Sequence, residues 1–378
     1  MRYRFSGIKA VLLFTSAVLT PFVTWGQDDD QLGREGLNTI TTAVPILLVS
    51  PDARGAALGE TGVATSPDAN SIHWNPAKLG FIQNQYGFSI SHSPWLRNIG
   101  INDMSLNYLT GYYKVSERGT FSGAMRYFDL GDIQFSDDNG TLGQLISPKE
   151  YTFDVAYGQQ LSENLSLGIG ARFIHSNLTQ GYDDSKAGNS GAVDVGVYYT
   201  KDLELGGRDY NLSLGGNISN IGAKIAYTNI DQKDFIPTNL RLGTAFTMNF
   251  DPYNKLTLAI DANKLLVPSP DPDTSTTTSD KSVITGIFSS FGDANGGFSE
   301  ELQEVSLSTG LEYVYNDLFA ARVGYFYESP NKGNRHYLSL GLGLQYQRFG
   351  IDGAYLASNT SSPLANTLRF TLSFKFEE

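Results

Sequence analysis

The sequence contains no cysteine, and its aromatic content comes from 21 Tyr and 22 Phe beside only 3 Trp. Without thiols there are no disulfides, no thiolate metal ligands and no thiol nucleophile. An exported fold of this size must then hold itself together by closure and burial. Excess positive charge is missing too: 27 Lys and Arg stand against 39 Asp and Glu, a net −12. A nucleic-acid partner needs a basic surface, so that class is set aside. The four histidines, His73, His92, His175 and His336, lack metal-ligand spacing, and there is no phosphate-cradling glycine loop, G-x-S-x-G elbow or H-E-x-x-H. The expectation is no metal, no cofactor and no enzymatic activity. Beyond the N-terminus no apolar run is long enough for a transmembrane helix, so any membrane insertion must use strands closed into a barrel.

What is present fits that alternative. The 378 residues include 40 Gly, which let strands pack or bend closely, and abundant Tyr and Phe, which favour strands. Residues 1–26 read as a signal peptide: Arg2, Arg4 and Lys9 precede a short apolar stretch, and Thr24-Trp25-Gly26 is an acceptable cleavage site before Gln27. Removing those three charges takes the net from −12 to −15. Residues 27–50 open with Asp28-Asp29-Asp30 and read as an exposed lead-in. From about residue 85 apolar and polar residues alternate in runs of nine to fourteen. In one, Leu165, Leu167, Ile169, Ala171 and Phe173 interleave with Ser166, Gly168, Gly170 and Arg172. Period two over about ten residues suits a tilted strand crossing a bilayer, and is longer than the strands of a soluble sandwich. There are about fourteen such runs, and short connections alternate with long ones at 131–147, 179–189, 222–237, 267–303, 328–335 and 358–366. The expected fold is all-β: a transmembrane antiparallel barrel with both termini on the periplasmic side. The division is a lead-in and lumen segment over 27–83 and a barrel over 84–378.

Two segments stand apart from the alternation. Residues 50–81 are rich in small residues, and read either as an ordinary N-terminal extension with a helix and a turn or, the favoured expectation, as a hatch folded in the lumen and closing it. Gly59 and its neighbours permit close packing, Trp74 supplies an anchor, Asn75-Pro76-Ala77 makes a turn, and Arg54 needs a carboxylate partner in the wall. Inward carboxylates such as Asp154, Asp194 and Asp261 are expected to face a wet lumen. The longest loop combines a Pro, Ser, Thr and Asp-rich part with a more apolar stretch at 283–302. That stretch is either a short helix folded over the mouth or a partner-binding element displaying Phe288, Phe291 and Phe298. A lipid hydrolase would need Ser and His on one face, yet adjacent His175 and Ser176 point to opposite faces of a strand.

The hatch residues carry a resemblance. Ala53-Arg54, Ala57, Gly59, Val63-Ala64, Asp68-Ala69 and Asn75-Pro76-Ala77 resemble the stretch that precedes the barrel in FadL-like outer-membrane channels. More narrowly, residues 44–59, 72–78 and the run I-F-S-S-F-G-D-A-N-G-G-F-S-E-E-L at 287–302 resemble the PorV (LptO) type of barrel in the type IX secretion system. The resemblance implies a shuttle in the outer membrane among its lipid and lipopolysaccharide. Such a barrel takes cargo by its C-terminal signal domain from the secretion translocon to a surface sortase, and cleaves nothing. The broader resemblance implies an alternative: a FadL-type channel for hydrophobic small molecules such as fatty acids, with an apolar pocket and a lateral opening in the wall.

Overall fold

A computed structural model describes residues 39–97, 100–136, 142–179, 185–227, 233–270, 281–358 and 366–376. The signal-peptide segment lies outside the described residues, as do 27–38. The wall begins with β1 (Tyr86–Pro94), β2 (Met104–Ser116) and β3 (Gly119–Leu130). A hairpin of β4 (Ile133–Ser136) and β5 (Leu142–Ile146) interrupts it. It continues through β6 (Lys149–Gln160), β7 (Leu165–Asn177), β8 (Gly188–Leu205), β9 (Arg208–Gly222), β10 (Asn239–Asp251) and β11 (Asn254–Leu265). The last strands are β12 (Val305–Tyr315), β13 (Phe319–Tyr327), β14 (His336–Tyr346), β15 (Phe349–Ser358) and β16 (Thr367–Phe376). All but the hairpin form one closed antiparallel barrel of fourteen strands, sealed where β1 pairs with β16.

The alternation in the sequence sets the two faces. On β7, Ser166, Arg172 and Ser176 turn inward and are buried, while Leu167, Ile169 and Phe173 face outward and are exposed. Large apolar residues exposed around a whole ring are unfavourable in water and form the lipid-facing band of a membrane barrel. The runs are longer than expected at one place: β8 spans eighteen residues. Its added length is the ribbon with β9 that extends to the turn at Gly206-Gly207, two glycines with positive φ.

Register fixes the tilt. From His92, cross-strand partners run through Asn107, Tyr127, Tyr151 and His175 to Asn189 on β8. In the other direction they run through Phe370, Gly353, Leu342, Ala321, Tyr313, Leu256, Met248 and Tyr210 to Leu203, also on β8. The two arrivals differ by fourteen residues, one per strand. With ordinary strand rise and spacing this means a tilt of roughly 35° and about 2.7 Å of height per residue. Short turns lie at one end with Tyr86 and Phe376, and the long connections lie at the other.

Candidate functional site

The lumen is filled by the residues that precede β1. Helix α1 (Ala53–Ala57) is capped by Asp52, whose Oδ2 accepts from the Gly55 N–H at 2.8 Å. Its other oxygen accepts from Trp74 Nε1 at 2.8 Å, so one carboxylate ties the start of α1 to the end of α2 (Ser71–Trp74). The Trp74 ring lies against Gly55 and Gly62 so closely that a Cβ at either would overlap it. Asn75 ends α2 and caps the 3-10 turn Pro76–Phe81: its Oδ1 accepts from Ala77 N–H, and its Nδ2 donates to the carbonyls of Val63 and of Val197 on β8.

Contacts with the wall run round the ring. Asn70 accepts from Ser89 on β1, Ala69 from Thr110 on β2, and Ile46 from Arg126 on β3, in each case through an oxygen. On the far side the Ala53 N–H donates to Thr371 on β16, and Gly59 N–H to Ser339 on β14. Where no side chain reaches across, a wall glycine lets the backbones meet. A Cβ on Gly168 would lie 2.2 Å from Ala77 N, and one on Gly324 would lie 2.0 Å from Gly59 N. Contacts on opposite walls are possible only for a segment inside the ring. Residues 43–50 also differ from the exposed lead-in expected of them: Val44, Ile46 and Leu47 are buried. Pro45 starts a 3-10 turn there whose apolar side chains pack with Leu106, Phe128 and Ile174 of the wall.

The inward carboxylates are not in water. Asp154 and Asp194 both pair with Arg172, the latter at 3.1 Å, and all three are buried. Asp194 also accepts from the N–H of Asn220, which sits at positive φ beside the one register shift between β8 and β9. Asp261 accepts from the backbone N–H groups of Gly62 and Val63. The expected wet lumen is wrong at these positions, because the preceding segment occupies the space that water would fill. Arg54 bonds Glu312 through Nε and Nη2 at 3.0 and 2.9 Å, and Asp68 at 2.9 Å. Glu312 in turn accepts from Arg322 at 2.7 Å, and Arg322 reaches Asp352 at 2.6 Å. Lys78 is buried with only neutral acceptors, Gly62 O at 2.8 Å and Thr65 Oγ1 at 3.1 Å. Burial pulls its ammonium down to about 8, against the pull of Asp68. Asp52 and Lys78 were missed as site residues in the sequence, although an Asp one position before a short Ala-rich helix is an N-cap signal.

At the loop end, α3 (Val283–Ser289) and α4 (Phe298–Gln303) occupy the apolar stretch of the longest connection. The stretch is helical, as one of the two expectations had it, and it displays aromatics. Phe288 and Phe298 are 75% and 79% exposed, and Phe291 is exposed between them. Helix α4 and its C-cap Glu304 are held by ion pairs. Lys264 pairs with Glu301 and Glu304, Lys332 pairs with Glu300 and Glu304, and Ser269 donates to Glu304. Burial works to raise the Glu304 carboxyl, but the hydrogen bonds from Lys264, Ser269 and Lys332 hold it below its ordinary value. A cavity of about 430 Å³ opens on this side, lined among others by Leu48, Glu60, Trp74, Arg241, Leu265 and Phe326. The hydrolase arrangement is not formed at His175 and Ser176: Ser176 points inward to Glu150 at 2.6 Å, and His175 points outward to Asn189 at 2.8 Å.

Solved barrels similar to the chain include the toluene transporter TbuX of Ralstonia pickettii, at 12% identity and TM-score 0.47. That similarity covers 86% of this chain and 98% of TbuX. The Pseudomonas putida toluene transporter TodX is similar at 11% identity and TM-score 0.49, over 90% of this chain and 98% of that one. A FadL homologue of Pseudomonas aeruginosa is similar at 11% identity and TM-score 0.45, over 91% and 100% of the two chains. No curated protein matches. The sequence model of the family described as type IX secretion system protein PorV matches residues 32–272, well over half of the chain. This outer-membrane barrel therefore belongs to the PorV family of type IX secretion system proteins.

Proposed function

We propose that the barrel is a non-enzymatic carrier that binds the C-terminal signal domain of secreted cargo at its outer mouth and passes it from the translocon to the surface sortase. The observation that carries this reading is the aromatic platform. Phe288 on α3, Phe291 in the turn after it and Phe298 at the start of α4 stand exposed, and α4 is fixed by buried ion pairs; exposed aromatics beside a fixed element are what a protein-binding surface requires. In this reading the segment 39–85 is a hatch that keeps the lumen closed while cargo is handled outside it. Both termini face the periplasm, and the long connections, including 131–147 and 267–303, face out. Lipopolysaccharide is the surrounding leaflet and the final attachment point of the cargo.

The FadL-type alternative draws on the cavity beside Trp74 and Arg241, which offers apolar walls and one buried guanidinium to an amphiphile. Against it stands the wall itself, in which every neighbouring pair of barrel strands is hydrogen-bonded around the closed ring. The deciding experiment is deletion of the chain followed by assay of medium, cell surface and periplasm. The carrier reading expects cargo to accumulate in the periplasm with its signal domain uncleaved. Intact secretion with lost growth on a hydrophobic carbon source would overturn it in favour of the channel.

A further inference from the structure

The cavity of about 430 Å³ at the loop end is closed in part by residues 39–48, with Thr41, Thr42, Pro45 and Leu48 among its lining. The hatch that follows is fastened to the wall by hydrogen bonds to Asp261, Ser339 and Thr371, and by wall glycines that its backbone touches. Residues 39–48 hold on chiefly by burial of Val44, Ile46 and Leu47. Their ties to the rest of the chain include the Ala43 N–H, which donates to the Phe235 carbonyl at 2.9 Å, and the Ile46 carbonyl, which accepts from Arg126 at 2.6 Å. That burial works against a strained backbone. Val44 sits in the left-handed region, at φ 51° and ψ 52°, and it precedes Pro45. A β-branched residue is an outlier there, and a residue before proline is pushed toward extended backbone. Strain of this kind persists only where the surroundings hold it, and it collects at parts that switch.

The tie at Phe235 leads to α3. Phe235 is buried; its carbonyl takes the Ala43 N–H, and its ring meets the helix. Gly286 is the buried residue of α3, and a Cβ there would lie 2.9 Å from Cε1 of that ring and 3.2 Å from Cδ of Pro268. Neighbouring groups give Phe235 a defined place between helix and strap. Lys224 Nζ stands 4.0 Å from the ring centroid, and Asp234 exchanges backbone hydrogen bonds with Ile225. Phe288, on the same helix, is exposed. A load on that exposed face acts on α3, and α3 meets Phe235 through a glycine with no side chain to absorb a shift. Phe235 in turn holds Ala43, next to the strained Val44.

We propose that residues 39–48 are a strap that closes the outer cavity, and that Phe235 couples it to α3, so that displacement of α3 releases the strap. Release lets Val44 leave the left-handed region and uncovers Glu60, Trp74 and Arg241, which line the same cavity. The hatch from Ala53 onward stays in place. That cargo is what displaces α3 rests on the carrier reading; the strap and its joint do not. By linkage, a strap held closed weakens whatever binds the displaced α3.

The chain has no cysteine, so single cysteines report on it directly. Leu47→Cys places a buried thiol on the strap, Leu58→Cys one in the hatch, and Thr41→Cys one at an exposed position. Intact cells making the full chain are treated with a membrane-impermeant maleimide. Position 41 should label quickly, 47 slowly and 58 not at all. Gly286→Leu, which crowds the Phe235 ring, should speed labelling at 47 about two- to tenfold, the worth of one backbone hydrogen bond. Adding Phe235→Ala makes room for the new side chain and should restore the slow rate. Ala43→Pro removes the N–H that bonds Phe235 and should give the same rise with α3 untouched. The heat-modifiable gel mobility of the barrel should be unchanged throughout. Labelling at 47 that neither Gly286→Leu nor Ala43→Pro alters would overturn the proposal, as would a rise at 58 alongside 47 or a position 41 closed to the reagent. A purified cargo signal domain that binds these cells without changing labelling at 47 would sink this inference and leave the carrier reading standing. A domain that fails to bind, with Gly286→Leu still releasing position 47, would do the opposite.

Discussion

Arg54 of the lumen segment and Glu312 of the barrel wall form a two-point ion pair, and the same carboxylate is shared with Arg322. Two cations on one buried carboxylate, with Asp68 and Asp352 at the outer ends, make a chain of charges that joins the hatch to β12, β13 and β15.

Breaking that chain from the hatch side leaves Asp68 without its cation and Glu312 with one fewer. Arg54→Met should destabilise the barrel by about 3 kcal/mol, in the range found when one partner of a buried pair is removed. Adding Glu312→Gln should cost less than the two single changes together, because the Arg54–Glu312 contact is lost only once and no Glu312 charge is left short of a cation. Urea unfolding in lipid vesicles, followed by tryptophan fluorescence, measures both. Additive losses would show that the two residues act independently.

The wall glycines make a sharper distinction than their number suggests. On Gly324 a Cβ would collide with the backbone of Gly59, whereas on Gly353 it would meet nothing within 4 Å. Gly324→Ala is expected to cost about 1–3 kcal/mol by overpacking, and Gly353→Ala to stay within about 0.5 kcal/mol. The temperature at which the barrel loses its fast-migrating gel form reads the difference.

Lys78 gives a pH test. Its folded-state value of about 8 lies below the ordinary 10.5, so burial disfavours the charged form. Below pH 8 the ammonium is carried in both states and the full penalty is present. Between about 8 and 10.5 the unfolded chain holds a proton that the folded chain has released, so stability should rise with pH by up to about 3 kcal/mol. Lys78→Met should flatten that rise when the two urea midpoints are compared from pH 7 to 10. An unchanged slope would place the origin elsewhere.

The barrel was legible because alternation is local. Leu165 to Phe173 declares its two faces without knowledge of any neighbour, and loop parity orders the strands. The hatch was legible as a segment that does not alternate. Its contents were less so, since Arg54 says that it needs a carboxylate but nothing nearby says that Glu312, 258 residues on, is the one. The wet-lumen expectation failed for the same reason. Asp154 and Asp261 look alike in sequence, yet one meets a neighbouring arginine and the other two backbone amides of the hatch.

The aromatic platform can be separated from the fold that holds it. Phe288, Phe291 and Phe298 are exposed, so replacing all three with Ser should leave barrel stability within about 0.5 kcal/mol per site. If the platform receives cargo, the same variant should lose surface-attached cargo and accumulate it in the periplasm, as the deletion is expected to do. Glu304→Gln keeps the aromatics and weakens the support of α4, which carries Phe298, since Glu304 accepts from Lys264, Lys332 and Ser269 at once. Its expected effect is partial: cargo transfer slowed, with a normal quantity of barrel in the membrane. Quantifying cargo in surface, medium and periplasm for the two variants ranks them. A triple variant that secretes normally while Glu304→Gln does not would move the cargo surface from the aromatics to the charged base beneath them.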